Sequence, residues 1–278
     1  MFIINAFKSI IDIVRTNTKH LRQSMAMAGS VLKKDYSGAV FGWAWSIVRP
    51  IVFVFVWWFA ISVGIRGNAP IIGSHQNEIP YVLWMIPGVL VWFVFQETMQ
   101  KGVSCIRKES HLVTKMVFPV DTIPVFSEIS YFVPHLVLLG IAIVTFIICG
   151  YGISFYIIQL LFYVPLFFVF CCEVCMLISA LGAVSRDFEQ MVKTMMNVVL
   201  WITPILWQID KMGGVIQKIF KLNPLYYFVL GYRDAFLGEA WFFEHPVYLG
   251  YTLGVIIVLA LITAGLQKRL APEFADVL

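Results

Sequence analysis

Long apolar runs separated by short polar segments dominate the sequence. A helix that crosses a bilayer needs about 20 mostly apolar residues. Runs of this kind predict six spans, at Trp43–Gly64, Ile79–Gln96, Ile129–Cys149, Ile153–Val184, Glu189–Gln208 and Val247–Gln267. The third and fourth runs are separated only by Cys149-Gly150-Tyr151-Gly152, which is typical of a tight turn. The pattern therefore predicts an all-α integral membrane protein with six transmembrane helices in a single domain over residues 1–278.

Two further apolar segments are not expected to span. In residues 1–38 the apolar side chains share one helical face, typical of an amphipathic helix lying in the membrane interface; they are Ile3, Ile4, Phe7, Ile10, Ile11 and Val14. Residues 210–236 hold two apolar halves, broken at Asn223-Pro224, each too short to cross. These halves either lie on the outer surface or form a re-entrant pair buried in protein, and we favour the re-entrant pair.

Composition and charge support this interpretation and give it an orientation. Of the 278 residues, 60% are hydrophobic and 13% charged, and the mean hydropathy is +0.85, which excludes an ordinary soluble domain. With the N-terminus inside, fifteen basic residues fall on the cytosolic side and five outside, namely Arg66, Lys211, Lys218, Lys221 and Arg233. Because basic residues accumulate in cytosolic segments, both termini are expected in the cytosol.

The charged connector between the second and third spans, residues 105–122, has an apolar stripe. The stripe consists of Leu112, Val113, Met116, Val117 and Phe118. A loop that only fixes topology needs no such stripe, whereas a helix that docks into the groove of a partner does. The chain has no glycine-rich phosphate loop of its own, so an energy-coupling partner would be a separate polypeptide.

Four segments, in order along the chain, resemble a known family. YSGAVFGWAWSIVRP (36–50), HLVTKMVFPVDTIP (111–124), RDFEQMVKTMMNVVLWITPILW (186–207) and KLNPLYYFVLGYR (221–233) are similar to permease subunits of ABC exporters for O-antigen, teichoic acid or capsular polysaccharide. The resemblance implies a bacterial inner-membrane protein that pairs with a second copy and with two ATPase subunits, which would bind ATP and Mg. It also implies a lipid-linked glycan substrate and a coupling helix that docks the ATPase through Leu112, Val113, Met116 and Phe118. Drug- and lipid-exporting permeases share this fold, so the substrate class stays open.

Three tryptophans are candidates for the lining of a sugar passage. Trp57 and Trp201 are each seven residues from the outer end of a predicted span, about 10 Å deep at 1.5 Å per residue. With Trp58 they would form a ring of flat apolar faces, and the resemblance implies channel aromatics in the same two spans. The alternative is an interfacial aromatic belt, which suits Trp43, Trp45 and Trp207.

Charged residues at membrane depth are also candidates, because an unpaired charge there is costly. His135 and Glu173 lie at comparable depths in neighbouring spans, which predicts a hydrogen-bonded pair. Near the inner entrance, the side chains expected to hold the pyrophosphate of a lipid carrier, or else to reach ordinary headgroups, are Lys33, Lys34, Arg49 and Arg186.

Other function classes find little support in the sequence. Cys172 and Cys175 form a lone C-x-x-C without further ligands, so no metal site is expected. The histidines are scattered, and no catalytic residue or cofactor site is predicted on this chain, although a membrane-embedded glycan-modifying enzyme stays as the alternative from a different class. An ion-coupled carrier would show internal repeats and buried charge chains, which are missing from the sequence. No nucleic-acid partner is expected.

Overall fold

The computed structural model describes residues 2–65, 67, 69–73, 78–112, 118–209 and 212–277. In this part of the chain the helices are α1 (Phe2–Lys19), α2 (Leu21–Asp35), α3 (Trp45–Trp58), α4 (Tyr81–Gly102), α5 (Cys105–Lys108), α6 (Thr122–Ile148), α7 (Leu160–Val184), α8 (Arg186–Ile202), α9 (Gly214–Lys221), α10 (Pro224–Leu237) and α11 (Pro246–Val277). Helix α3 continues as a π-helix over Phe59–Ile65. Short 3-10 turns lie at Gly42–Ala44, Phe155–Gln159 and Phe242–Glu244.

Among the described residues, five helical segments are long and apolar enough to cross a membrane. They are Gly42–Ile65, Tyr81–Gly102, Thr122–Ile148, Phe155–Val184 and Pro246–Gln267, and they coincide with five of the six predicted spans. Helix α8 lies in the remaining predicted span, but it has only 17 residues, with Asp187 and Glu189 in its first turn. The prediction of an all-helical integral membrane protein is confirmed, whereas six spans are not.

Helix α4 is the centre of the bundle. In its apolar window 67% of the residues are buried, against 11% for the span that contains α3. Helix α4 packs against α6, α7, α8 and α10, while α11 packs mainly along α7. The main core is therefore built around α4, and α3 lies at the edge of the bundle with most of its surface open.

Local sequence signals set the breaks between helices. Gly150 and Gly152 have φ values of 79° and 65°, so the turn between α6 and α7 uses left-handed backbone that only glycine adopts easily. Ser185 ends α7 and caps α8, because its hydroxyl accepts a hydrogen bond from the Phe188 N–H at 3.2 Å.

The segment after α8 contains two dissimilar helices. Helix α9 has no buried residue, whereas α10 is buried along most of its length against α4 and α7. The Asn223 side chain links the start of α10 to the residue that follows α8. Its Oδ1 caps α10, and its Nδ2 donates to Thr203 Oγ1 at 2.8 Å. Residues 210–211, at the start of the predicted re-entrant pair, lie outside the described residues.

A small antiparallel hairpin packs against the main core. It pairs Ile71 with Ile79 and Ile72 with Glu78, and Ile71 and Ile79 are both buried. The hairpin was not predicted, since two-residue strands leave too short a pattern to detect.

Candidate functional site

Trp57 and Trp201 meet on the open side of the bundle. Their rings pack edge to face, with the centroids 5.7 Å apart and an interplanar angle of 81°. Trp57 lies near the end of α3 and Trp201 near the end of α8, and the Trp201 side chain is still 55% exposed. The predicted match in depth thus corresponds to a direct contact between two helices at the surface of the bundle.

A cavity of about 500 Å³ opens beside this pair. Besides Trp57 and Trp201, its aromatic lining consists of Tyr81, Trp84 and Trp207. Trp58 does not line this cavity, and it packs instead near Phe55 at 6.0 Å between centroids. The expectation for Trp58 was therefore wrong, because consecutive residues of a helix point about 100° apart.

A second cavity, of about 490 Å³, lies on the other side of Trp57. Its lining includes Trp45, Arg49, Trp92 and Phe93, together with Gln96, Asn197 and Leu200. We call the two cavities together the aromatic groove, defined by Trp45, Trp57, Trp84, Trp92, Trp201 and Trp207. Trp45 and Trp207, which suited an interfacial belt, line this groove. The groove offers flat apolar faces with few fixed charges along α3, α4 and α8.

Arg233 fixes the outer part of the groove. Its guanidinium lies over the Trp84 ring, 3.5 Å from the centroid, and donates to the Ile205 carbonyl at 2.8 Å and to the Trp84 carbonyl at 3.3 Å. Gly88 leaves room for it, since a Cβ there would come within 3.2 Å of the guanidinium. Sequence analysis placed Arg233 among external loop charges, because the depth reached by α10 cannot be read from its own residues.

Behind Arg233 lies a more polar outer pocket of about 290 Å³. The buried Asp234 carboxylate accepts a hydrogen bond from His245 Nε2 at 3.1 Å, which joins α10 to the start of α11. This bond raises the pKa of His245. Burial raises the pKa of Asp234 as well, although His245 opposes the shift. Lys221, Tyr226, Glu239 and Tyr248 also line the pocket.

His135 does not pair with Glu173, and this prediction is corrected. His135 is buried, and its Nε2 lies 3.0 Å from the hydroxyl of Tyr232 on α10. Nδ1 has no hydrogen-bond partner among the described residues. The pairing differs because α10, which belongs to the segment that we favoured as a re-entrant pair, brings Tyr232 to His135 inside the bundle.

Glu128 is a buried carboxyl group that sequence analysis missed. It is fully buried on α6, and its Oε1 lies 2.8 Å from Thr98 Oγ1 on α4. The single hydroxyl proton of Thr98 also has the Val94 carbonyl at 3.0 Å as an acceptor. A protonated Glu128 satisfies both contacts, because it donates to Thr98 while Thr98 donates to Val94. The sequence could have indicated this residue, since Glu128 is an acidic residue that directly precedes the third apolar run.

The connector turns part of its apolar stripe inward. Leu112 is buried in a second core cluster with residues of α2, α6 and α7. The prediction that Leu112 faces a partner is therefore corrected, since this side chain contributes to the chain's own core. Phe118 is half-buried against His20 and Phe126. Val113 and Met116 lie in residues 113–117, outside the described residues.

Several ion pairs involve the basic candidates and the connector. Lys34 bonds Glu109 at 2.8 Å, and Arg49 lies 3.9 Å from Glu97. Arg107 pairs with Glu189 on α8. Lys33 and Arg186, the other two basic candidates, have exposed side chains. Two of the four candidate phosphate ligands thus already contact carboxylates of this chain.

The described residues contain no cluster of three or more His, Cys, Asp or Glu side chains that could hold a metal ion. Cys171, Cys172 and Cys175 are buried free thiols on α7.

Comparisons with known proteins identify the family to which the chain belongs. The family model of the ABC-2 type transporter matches residues 22–237. An O-antigen export system permease protein RfbA of Klebsiella pneumoniae is 24% identical over 251 residues, which cover 89% of this chain and 91% of that protein. The protein of the same description from Myxococcus xanthus is 21% identical over 273 residues, covering 96% of this chain and 99% of the relative. The sequence resemblance is thereby confirmed, and since the family model spans most of the sequence, the chain belongs to the ABC-2 type transporter family.

Proposed function

We propose that the chain is the channel-forming permease subunit of an ATP-driven exporter. Its substrate is a lipid-linked cell-surface polysaccharide, with O-antigen as the first candidate and teichoic acid or capsular polysaccharide as related ones. The names of the relatives from Klebsiella pneumoniae and Myxococcus xanthus support the substrate class. The site of action is the bacterial inner membrane.

The aromatic groove is the observation that carries this proposal. A sugar presents apolar C–H faces and many hydroxyls, so a passage for it benefits from flat aromatic side chains more than from fixed charges. Trp57 and Trp201 supply such faces where α3 and α8 meet. Pockets lined by aromatic side chains with a few polar groups are typical ligand sites, and Gln96, Asn197 and Gln208 are the polar members here.

A second copy of the chain would close the groove. Along α3 and α8 the exposed apolar side chains include Val52, Val56, Met195, Val198 and Trp201. In a pair, two grooves facing each other would form one channel. Two ATPase subunits, which bind ATP and Mg, would dock below at the connector, through residues 113–117 and the half-buried Phe118.

Two finer features belong to the same proposal. The sixth crossing consists of helix α8 and residues 203–209. Two contacts support this: Ser185 joins the start of α8 to the inner end of α7, and Trp201 contacts α3 near the outer end of that helix. With both termini in the cytosol, the basic side chains at the inner end lie where a lipid pyrophosphate would arrive. Lys33 and Arg186 are the candidates that no carboxylate of the described residues occupies.

Coexpression with a candidate ATPase subunit from the source bacterium tests the proposal. The two proteins should purify together, and ATP hydrolysis by the complex should rise when lipid-linked glycan extracted from the source bacterium is added. A chain that purifies without an ATPase, or hydrolysis that no lipid-linked glycan stimulates, would contradict the proposal.

A further inference from the structure

The first residues of the connector are fixed to α7. Gly182 of α7 lies so close to the Val103 backbone that even a Cβ on Gly182 would overlap the Val103 carbonyl oxygen. Cys105 and Ile106 follow and are buried beside Cys175 and Ala183. Because the two backbones are in close contact, the connector has little room to move relative to α7. This part of the connector therefore moves together with α7.

Arg107 is the first residue of α5 that reaches away from this core. Its guanidinium pairs with the Glu189 carboxylate, and the two side chains are 26% and 18% exposed. Glu189 also accepts from Lys193 at 2.6 Å. Because both members are partly shielded from water, we expect this pair to be stronger than an exposed surface ion pair.

Helix α8 buries little of its surface at this end, where Phe188 is half-buried against the main core. Of its 17 residues only Val192 and Met196 are buried, and both lie beyond the first turn. Glu189 is in that first turn, whereas Trp201 lies near the opposite end of the helix. At 1.5 Å per residue the two are about 18 Å apart along the axis. A displacement applied at Glu189 is therefore carried along a stiff helix to Trp201.

The connector has a second ionic contact, which serves as a comparison. Glu109 bonds Lys34 of α2 at 2.8 Å, but the Lys34 side chain is 58% exposed. Exposed pairs contribute little because water and salt screen them. The contact to α8 is thus the stronger of the two ionic connections, and it leads to a helix that lines the groove.

We propose that Arg107 and Glu189 form a positioning pair that transmits a displacement of the connector to α8, and hence to the Trp57–Trp201 contact. This inference rests on the proposed function, since the displacement would come from an ATPase docked at the connector. Neither residue touches substrate or nucleotide in this proposal. Their role is to keep α8 coupled to the connector while the connector moves.

Charge exchange tests the pair. The variants are Arg107→Glu, Glu189→Arg and the double exchange, each purified with the ATPase and compared for ATP hydrolysis and for glycan delivered to the cell surface. We expect each single variant to assemble with the ATPase and to hydrolyse ATP. Each should export about fivefold less glycan per ATP, because a partly shielded ion pair is broken. The double exchange should restore most of the export when it is combined with Lys193→Gln, because Lys193 would otherwise face the arginine introduced at position 189. Asp187→Arg is the matched control, because Asp187 is an exposed acid in the same turn.

The outcomes separate this inference from the proposed function. Normal export by both single variants would overturn the inference, as would a double exchange with Lys193→Gln that is no better than the single variants. Loss of export by Asp187→Arg equal to that of Glu189→Arg would also overturn it, since the effect would then be general to charge at this end of α8. A wild-type complex that neither hydrolyses ATP nor exports glycan would instead overturn the proposed function.

Discussion

Trp57 and Trp201 are in edge-to-face contact across two helices, with 5.7 Å between ring centroids. Helix α3 is the least buried of the candidate spans, and α8 buries only two of its residues. The contact therefore joins two helices that are loosely held elsewhere. Both rings also line the cavity of about 500 Å³, so the pair combines a structural contact with a surface open to a ligand.

Replacing either tryptophan with alanine should impair export. Trp57→Ala and Trp201→Ala each remove one flat face and the edge-to-face contact, which is worth about 0.5–1.5 kcal/mol. We expect a strong loss of surface glycan while the complex with the ATPase still assembles, as judged by copurification. Trp43→Ala is the control, because Trp43 lies outside both cavities. Normal glycan export by the Trp57 and Trp201 variants would refute the role of the groove.

Gly182 should not tolerate a side chain. Because the Cβ of Gly182→Ala would overlap the rigid Val103 carbonyl, the helix or the connector must shift, and overpacking of this kind costs about 1–3 kcal/mol. Gly140→Ala is a matched control on α6, since no atom lies within 4 Å of its Cβ position. Thermal unfolding in detergent should show a lower midpoint for Gly182→Ala alone. Equal midpoints for the two variants would contradict the close packing of connector and α7.

Glu128 should behave as a neutral group. In Glu128→Gln the amide can donate to Thr98 in place of the carboxyl proton, so stability should change by less than about 1 kcal/mol. In Glu128→Ala the hydrogen bond and the side-chain volume are lost, and we expect a cost of about 1–3 kcal/mol. Unfolding of both variants in detergent measures the difference. If glutamine proves as damaging as alanine, the buried carboxyl is held as an anion instead.

The His245–Asp234 bond predicts a pH dependence of stability. The bond raises the pKa of His245, so the protonated histidine contributes to the free energy of unfolding. This contribution is fully present below the pKa of His245 in the unfolded chain, about 6.5, and is lost as the pH rises through its pKa in the folded protein. The raised pKa of Asp234 also makes the protein less stable as the pH rises. For Asp234 this loss of stability begins at lower pH, near the pKa of about 3.9 of an aspartate in an unfolded chain. The unfolding midpoint of the wild type should therefore decrease as the pH rises above about 6.5.

His245→Gln isolates the histidine part of that dependence. Glutamine keeps a donor toward Asp234 but does not titrate, while Asp234 remains in place. We expect the midpoint of this variant to change less over the same pH range. Equal slopes for variant and wild type would show that the bond between α10 and α11 does not carry the effect.

Sequence patterns predicted the spanning helices well, because a continuous apolar helix is stable in the bilayer whichever other helices pack beside it. Helix α8 was harder, because its first turn is charged and its apolar face is narrow, so its beginning and its length are ambiguous. The helical rise of 1.5 Å per residue predicted an equal depth for Trp57 and Trp201, but it did not predict their direct contact.

Contacts across the bundle could not be predicted in the same way. His135 pairs with Tyr232 rather than with Glu173 because α10 enters the bundle, and nothing in the residues of α10 gives its depth. Leu112 is buried for a similar reason, since it packs among residues of α2, α6 and α7 of its own chain. Periodicity tells which face is apolar, but it does not tell which neighbour covers that face.

Transport in reconstituted vesicles tests the central claim most directly. The chain is incorporated into vesicles that contain the lipid-linked glycan, with or without the ATPase subunit and ATP, and glycan on the far side of the membrane is measured. The account predicts translocation only when the ATPase and ATP are both present. Full translocation by the chain alone, with no nucleotide hydrolase bound, would contradict it.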